Sequence, residues 1–228
     1  SEDRDVQPYP LPSARALSPR FGGTSLFYLS GQGAGDGLWR FQDGHASEVW
    51  SAAGDSLSGP PAVSPDGSRV AIIVRQEGKQ RLSVMSADGT NARTLAASIT
   101  IQGAGRGSAD WSPDGKWIVA AGSDVQGSGL FIISVDGSAP VRRLVSGELV
   151  NPVWSPNGAL IVYGGPVVGG QVPLLGVRPD GTPVELPKVR AGLGGGHRFL
   201  PNGTGLVYLP RAQSLDFWLL DLATNKTR

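Results

Sequence analysis

The chain of 228 residues contains no cysteine and only two histidines, His45 and His197. The lack of thiols excludes disulfide bonds, thiolate metal sites and a cysteine nucleophile. Two histidines far apart in sequence, with no calcium-loop spacing anywhere, favour structural roles for both. The sequence therefore predicts neither a metal site nor a cofactor.

Neither sign of charge is gathered into a run. Lys and Arg number 20 against 19 Asp and Glu, for a net charge of +1. Because nucleic acids and anionic membranes bind clustered cationic faces, we expect neither as the main partner. No run of about 18 apolar residues occurs, and residues 1–5 are too polar for a signal peptide, so no membrane insertion is predicted.

Glycine and proline are abundant, with 34 and 18 residues, and they lie between short apolar runs. The equivalent turn positions 18, 64, 112, 155 and 200 are 46, 48, 43 and 45 residues apart. This is the length of one four-stranded propeller blade. The five turn sequences are Leu17-Ser18-Pro19, Val63-Ser64-Pro65-Asp66-Gly67, Trp111-Ser112-Pro113-Asp114-Gly115, Trp154-Ser155-Pro156-Asn157-Gly158 and Phe199-Leu200-Pro201-Asn202-Gly203.

The third repeat shows the order of elements within a blade. Strand a ends at Trp111, and Asp114-Gly115 forms the turn because Gly tolerates positive φ and Asp caps its own backbone. Strand b follows, then a loose loop over residues 122–129, strand c, a second turn at Asp136-Gly137 and strand d. The strands are apolar on both sides, which is typical of blades stacked face to face.

These patterns predict an all-β fold, a β-propeller of four-stranded blades. Residues 1–13 are predicted to be a linker and residues 14–228 the propeller. The predicted blades cover about residues 14–53, 54–97, 98–147, 148–190 and 191–228, of which the last is truncated.

The blade pattern resembles the WD-like repeats of TolB-type propellers, which also occur in the non-catalytic propellers of prolyl oligopeptidase and dipeptidyl-peptidase enzymes. Gly37-Leu38-Trp39-Arg40-Phe41 and the stretch 216–222 are similar to the propeller tails of bacterial serine/threonine kinases and related sensors. No kinase signature is present, so this resemblance implies a catalytic domain outside the chain.

The resemblance implies six blades, whereas the chain has five turn sequences. The first departs from the pattern, because Arg20-Phe21-Gly22 follows Ser18-Pro19 in place of Asp-Gly. The last repeat ends at Lys226-Thr227-Arg228, where the pattern would continue into strand d and another blade. We therefore expect an incomplete six-bladed ring that forms an open arc.

Large residues recur at the end of strand a. They are Leu17, Val63, Trp111, Trp154 and Phe199. An aromatic ligand platform is one interpretation, but large side chains at a repeated inner-strand position more often pack blade against blade. We expect Trp111 and Trp154 to be buried.

Polar residues in the connections from strand d to the next strand a are the best binding candidates. A propeller's channel mouth gathers one such connection from every blade, so scattered residues can form one site. Ordinary solvation of a channel rim is the alternative. The candidates are Arg106, Asp110, Glu148, Asn151, His197 and Arg198.

The predicted function is that of a non-catalytic module of a larger bacterial protein, which binds a protein, a peptide or a small ligand at the channel mouth. The kinase-tail resemblance favours an extracytoplasmic location. Two alternatives remain: an accessory propeller that gates a serine peptidase of the prolyl-oligopeptidase type, and a periplasmic TolB-like scaffold.

Gly54-Asp55-Ser56-Leu57 matches the nucleophile block of an esterase family, but that chemistry also needs an Asp three residues before a late histidine. Gly194 stands at that position before His197. We therefore predict that the purified chain does not hydrolyse p-nitrophenyl acetate or peptide substrates. Ester hydrolysis that is lost in Ser56→Ala would contradict this prediction.

Overall fold

The computed structural model describes residues 17–32, 35–51, 56–102, 109–192, 196–211 and 216–228. These residues form 23 β-strands in five antiparallel sheets, and none of them is helical. No helix in this part of the chain could therefore cross a membrane. Each sheet is one blade, so the predicted all-β propeller of five blades is confirmed.

In the first three blades the strands follow one another in sequence order from a to d. Strand a of blade two and strand a of blade three are each interrupted, and both pieces of each pair with strand b. Blade one consists of β1 (Leu17–Gly22), β2 (Ser25–Gln32), β3 (Gly35–Gln42) and β4 (His45–Ser51). Blade two consists of β5 (Ser56–Leu57), β6 (Ala62–Val63), β7 (Arg69–Gln76), β8 (Lys79–Ser86) and β9 (Arg93–Leu95). Blade three consists of β10 (Thr100–Ile101), β11 (Ala109–Trp111), β12 (Trp117–Asp124), β13 (Gly127–Ser134) and β14 (Arg142–Ser146).

In blade four it is the outer strand that is interrupted, since two short segments both pair with strand c. Blade four consists of β15 (Val150–Trp154), β16 (Ile161–Gly164), β17 (Gln171–Val177), β18 (Pro183–Val184) and β19 (Arg190–Gly192). Blade five consists of β20 (His197–Phe199), β21 (Gly205–Tyr208), β22 (Trp218–Asp221) and β23 (Lys226–Thr227). Lys226 and Thr227 pair with β22 and supply an outer strand of two residues in this blade.

The Ser-Pro-Asp-Gly turn is closed by side-chain hydrogen bonds. In blade two, Ser64 Oγ donates to Asp66 Oδ1 at 2.6 Å and accepts the Arg69 amide at 2.9 Å, while the Ser68 amide donates to Asp66 Oδ1 at 3.0 Å. Gly67 has φ of 71°, a conformation that side chains with a Cβ rarely adopt. The corresponding bond runs from Ser112 to the Asp114 carboxylate in blade three and from Ser155 to the Asn157 side-chain amide oxygen in blade four. The recurrent acidic residues are thus used by the turns.

Blade one corrects the sequence alignment of the repeats. Ser18 has φ of 55° and lies in a β-bulge, because the pairing of β1 with β2 shifts between Leu17 and Arg20. Asn151 occupies the same kind of bulge in β15, also just before a proline. Ser18-Pro19 is therefore not the turn, and Phe21 takes the place predicted for Leu17, because Phe21 pairs with Leu26 as Trp111 pairs with Ile118.

The predicted loose loop over residues 122–129 is also wrong. Strands β12 and β13 pair in register down to Asp124 and Gly127, so the segment is a tight hairpin. Asp124 Oδ1 accepts the Gln126 amide at 2.7 Å, and Gly127 takes φ of 103°. A Cβ on Gly122 would lie 2.7 Å from the Thr100 carbonyl oxygen, so glycine here permits the close approach of β10.

Buried hydrophobic clusters join consecutive blades. One cluster each lies between blades one and two, two and three, three and four, and four and five. Within the residues that the structure describes, no such cluster joins blade five to blade one. Phe21, on the side of blade one away from blade two, is 80% exposed. The open arc itself stays a prediction.

Trp111 and Trp154 are buried, at 4% and 8% exposure, so the predicted core role of both is confirmed. Trp111 Nε1 donates to the Ala62 carbonyl at 2.9 Å, which ties blade three to blade two. Trp154 packs into the cluster between blades three and four and donates through Nε1 to its own turn at Gly158. The inner indoles therefore hold blades together.

We predict that Trp154→Ala lowers the free energy of unfolding by about 3–5 kcal/mol, because it leaves a cavity between two blades. Urea unfolding followed by circular dichroism measures the loss. Trp218→Ala is the matched control, since Trp218 is 43% exposed and should cost much less. Equal losses in the two variants would show that Trp154 does not carry the interface.

Candidate functional site

Asp110 and Arg198, two of the residues predicted at the channel mouth, lie on the innermost strands of blades three and five. The structure adds Arg20, on the innermost strand of blade one, which sequence reasoning missed. The three residues occupy one register position, each just before Phe21, Trp111 or Phe199. The same position holds Ala62 in blade two and Val153 in blade four.

Asp110 links two inner strands. Its Oδ2 accepts the backbone amide of Trp154 in blade four at 2.8 Å. Burial raises the pKa of Asp110, because removing a carboxylate from water disfavours its charged form; the charge of Arg198, the Trp154 amide and the charge of Arg20 oppose this rise. Asp110 is thus a partly buried acid that interacts with the charges of two arginines.

The charged form of Arg20 is destabilised by its surroundings. Burial and repulsion by Arg198 lower its pKa to about 10, and attraction to Asp110 offsets only part of this. Its Nη1 donates to the neighbouring Pro19 carbonyl at 2.8 Å, and Arg198 Nη1 donates to the His197 carbonyl at 2.9 Å. The name inner-strand triad is used below for Arg20, Asp110 and Arg198.

Within the described residues, neither Glu148 nor Asn151 is hydrogen-bonded or ion-paired to a member of the inner-strand triad. Glu148 is exposed in the connection from β14 to β15. Asn151 is 4% exposed in the β15 bulge, with φ of 50°, and its Oδ1 has no hydrogen-bond partner. Arg106 lies outside the described residues.

His197 is a core residue, 1% exposed. Its Nε2 lies 3.2 Å from the Val162 carbonyl oxygen in blade four, and because a carbonyl can only accept, Nε2 carries the proton. Burial, with a smaller contribution from the charge of Arg198, lowers the pKa of His197 to about 4 although the Val162 bond opposes the shift. The structure therefore places His197 in the joint between blades four and five.

Known catalytic groupings are not assembled in the described part of the chain. No group of three or more His, Asp or Glu residues there could hold a metal ion. Ser56 lies in β5 of blade two, whereas His197 is buried in blade five and bonded to a backbone carbonyl. Ser56 and His197 therefore do not form a nucleophile–base pair in the described structure.

Residues 17–213 match the family described as the TolB beta propeller domain. The chain belongs to this family. The TolB-type resemblance of the turn sequences is thereby confirmed, whereas no comparison bears on the kinase-tail resemblance.

An uncharacterized protein of Agrobacterium fabrum is a relative of this TolB-type chain, 32% identical over 126 residues. That match covers 54% of the chain and 41% of the relative. The TolB-type chain therefore spans less than half the length of this curated relative.

Solved structures share the fold. TolB from Acinetobacter baumannii has a TM-score of 0.75 at 17% identity, covering 93% of this chain and 53% of TolB. Oligogalacturonate lyase from Vibrio parahaemolyticus has a TM-score of 0.66 at 12% identity, covering 91% and 63%. Acylaminoacyl peptidase from Pyrococcus horikoshii has a TM-score of 0.60 at 14% identity, covering 93% and 38%. At these identities the likeness shows the TolB-type propeller alone.

We predict that the protein loses stability as pH falls from about 6.5 to about 4, because the unfolded chain binds a proton at His197 in this window and the folded chain does not. The lowered pKa corresponds to about 3 kcal/mol. Urea unfolding at pH 7 and pH 4.5 measures the effect, which His197→Gln should reduce. The control His45→Gln, at an exposed histidine, should keep the wild-type pH dependence. An unchanged dependence in His197→Gln would contradict this prediction.

Proposed function

We propose that this chain is a non-catalytic binding scaffold, similar in role to TolB, which takes its ligand where the innermost strands meet. The observation that carries this proposal is the inner-strand triad, which puts three ionisable side chains from three blades at one register position. Charged groups held on rigid strands suit recognition of a polar partner.

The family supports a scaffold more than an enzyme. TolB-type propellers act generally through binding, and within the described residues the ionisable groups of the inner strands lack a neighbouring nucleophile. The lyase and peptidase neighbours show that the same fold also accompanies catalysis. Since fold does not determine function, the argument for binding depends on the side chains of the inner strands.

The kinase-tail role is a narrower hypothesis. Its support is the sequence of Gly37-Leu38-Trp39-Arg40-Phe41, which lies within strand c of blade one, and of residues 216–222, which include strand c of blade five. The TolB comparisons favour the periplasmic TolB-like scaffold over this role. An extracytoplasmic location is the expectation in both cases.

An accessory propeller of a serine peptidase is the second candidate, and the acylaminoacyl peptidase fold favours it. In that case the complete reading frame or a neighbouring gene would encode an α/β-hydrolase domain with a Gly-x-Ser-x-Gly nucleophile. The complete reading frame distinguishes this candidate from the scaffold.

We predict that a photo-crosslinking amino acid at position 198 captures a protein partner, whereas the same group at position 88, in the turn between β8 and β9, does not. Calorimetry with the purified partner should then show at least about tenfold weaker binding to Arg198→Ala, because a charge-assisted contact is lost. Arg75→Ala, at an exposed arginine on β7, is the matched control. Equal binding by all three proteins would refute a partner site on the inner strands.

A further inference from the structure

The inner-strand triad carries a surplus of one positive charge. Asp110 is the single acid among the three residues, and its Oδ2 is already bonded to the Trp154 amide. Arg20 is half-buried and Arg198 is exposed, so both residues contact solvent. Burial and the repulsion by Arg198 both lower the pKa of Arg20, so the two cations interact unfavourably.

Within the described residues, these two arginines use few of their hydrogen-bond donors. A guanidinium offers five N–H donors, and in this part of the chain each group donates one bond, to the carbonyl of the preceding residue. The described residues contain one ion pair within 4.0 Å, between Arg143 and Asp124, and it includes neither of the two. No described side chain therefore neutralises Arg20 or Arg198 through an ion pair.

Two other arginines, Arg143 and Arg69, make structural contacts with neighbouring strands and rings. Arg143 donates to Asp124, to the Ser128 carbonyl at 2.8 Å and to the Gly127 carbonyl, and it lies over the Phe131 ring. Arg69 donates to the Gly115 carbonyl at 2.8 Å and lies 5.0 Å from the centre of the Trp111 ring. These arginines brace the blades, whereas within the described residues Arg20 and Arg198 bond only to the carbonyl of the preceding residue.

We propose that Arg20 and Arg198 form a binding site for one oxyanion group, a carboxylate or a phosphate, between the inner strands of blades one and five. The planar guanidinium fork matches the paired oxygens of such a group, and a bound anion would remove the repulsion between the two cations. Asp110 lies on the facing strand and disfavours a second negative group, so the site should accept a single anionic group.

This inference does not require the proposed protein partner. An oxyanion should bind to the isolated chain, whether the natural source is a free small molecule or an acidic group of a larger partner. Failure of the crosslinking experiment and failure of the anion experiment are thus separate results.

The test is thermal unfolding of the whole chain in Tris-chloride at constant ionic strength, with inorganic phosphate or acetate added. In the wild-type protein Tm should rise with either anion and saturate, because a ligand that binds only the native state stabilises it. A rise with phosphate alone would assign the site to phosphate groups, and a rise with acetate alone would assign it to carboxylates.

Three variants distinguish the site from a general salt effect. Arg20→Gln and Arg198→Gln should each weaken anion affinity at least about tenfold, and Arg20→Gln should raise Tm without anion because it removes the repulsion. Asp110→Asn keeps an acceptor for the Trp154 amide and should tighten anion binding. Arg75→Gln should match the wild-type protein.

Two results would overturn the proposal: no saturable rise of Tm in the wild-type protein with either anion, or the same rise in Arg198→Gln as in Arg75→Gln. If Arg20→Gln does not fold, Arg198→Gln decides the question by itself, since Arg198 is exposed.

Discussion

The packing of one blade face against the next is the interaction on which the rest of this structure depends. A blade exposes two apolar faces, and only stacking removes both from water. Trp111 and Trp154 extend this packing to the innermost strands, and the bond from Trp111 Nε1 to the Ala62 carbonyl sets how blade three meets blade two. The direction of the inner strands, and hence the position of their polar side chains, follows from these joints.

The hydrogen bonds that close each turn come from side chains within the turn itself. Ser64 and Asp66 close their turn without help from a neighbouring blade, and hydrogen bonds from Ser64 and Ser68 lower the Asp66 pKa to about 2. Acidic residues at the turns are thus stabilised in the charged form by local bonds and are not free for chemistry. Charge available for recognition is found instead at Arg20, Asp110 and Arg198, whose surroundings come from different blades.

Local patterns predicted much of the fold. Burial of Trp111 and Trp154 followed from their repeated position, since a large side chain at one place in every blade has a neighbouring blade to pack against. The prediction of a turn at Ser18-Pro19 was wrong because a β-bulge before proline and a Ser-Pro turn can have the same sequence. Only the pairing of Phe21 with Leu26 distinguishes the two. The prediction of a loose loop over residues 122–129 was wrong because the glycines in this segment allow neighbouring strands to approach closely.

The sequence by itself determined the blade period, the turn chemistry and the class of fold, because each depends on residues within about 45 positions of one another. Tertiary structure alone decided that the charges of Arg20, Asp110 and Arg198 interact, since the three residues come from blades one, three and five. It also decided that His197 is buried in the joint with blade four. Burial lowers the histidine's pKa, although the bond to the Val162 carbonyl opposes this shift, and it removes His197 from any accessible site. Interactions between blades depend on how the blade faces stack. The spacing of residues within one repeat does not show which polar residues of distant repeats come together near the propeller axis.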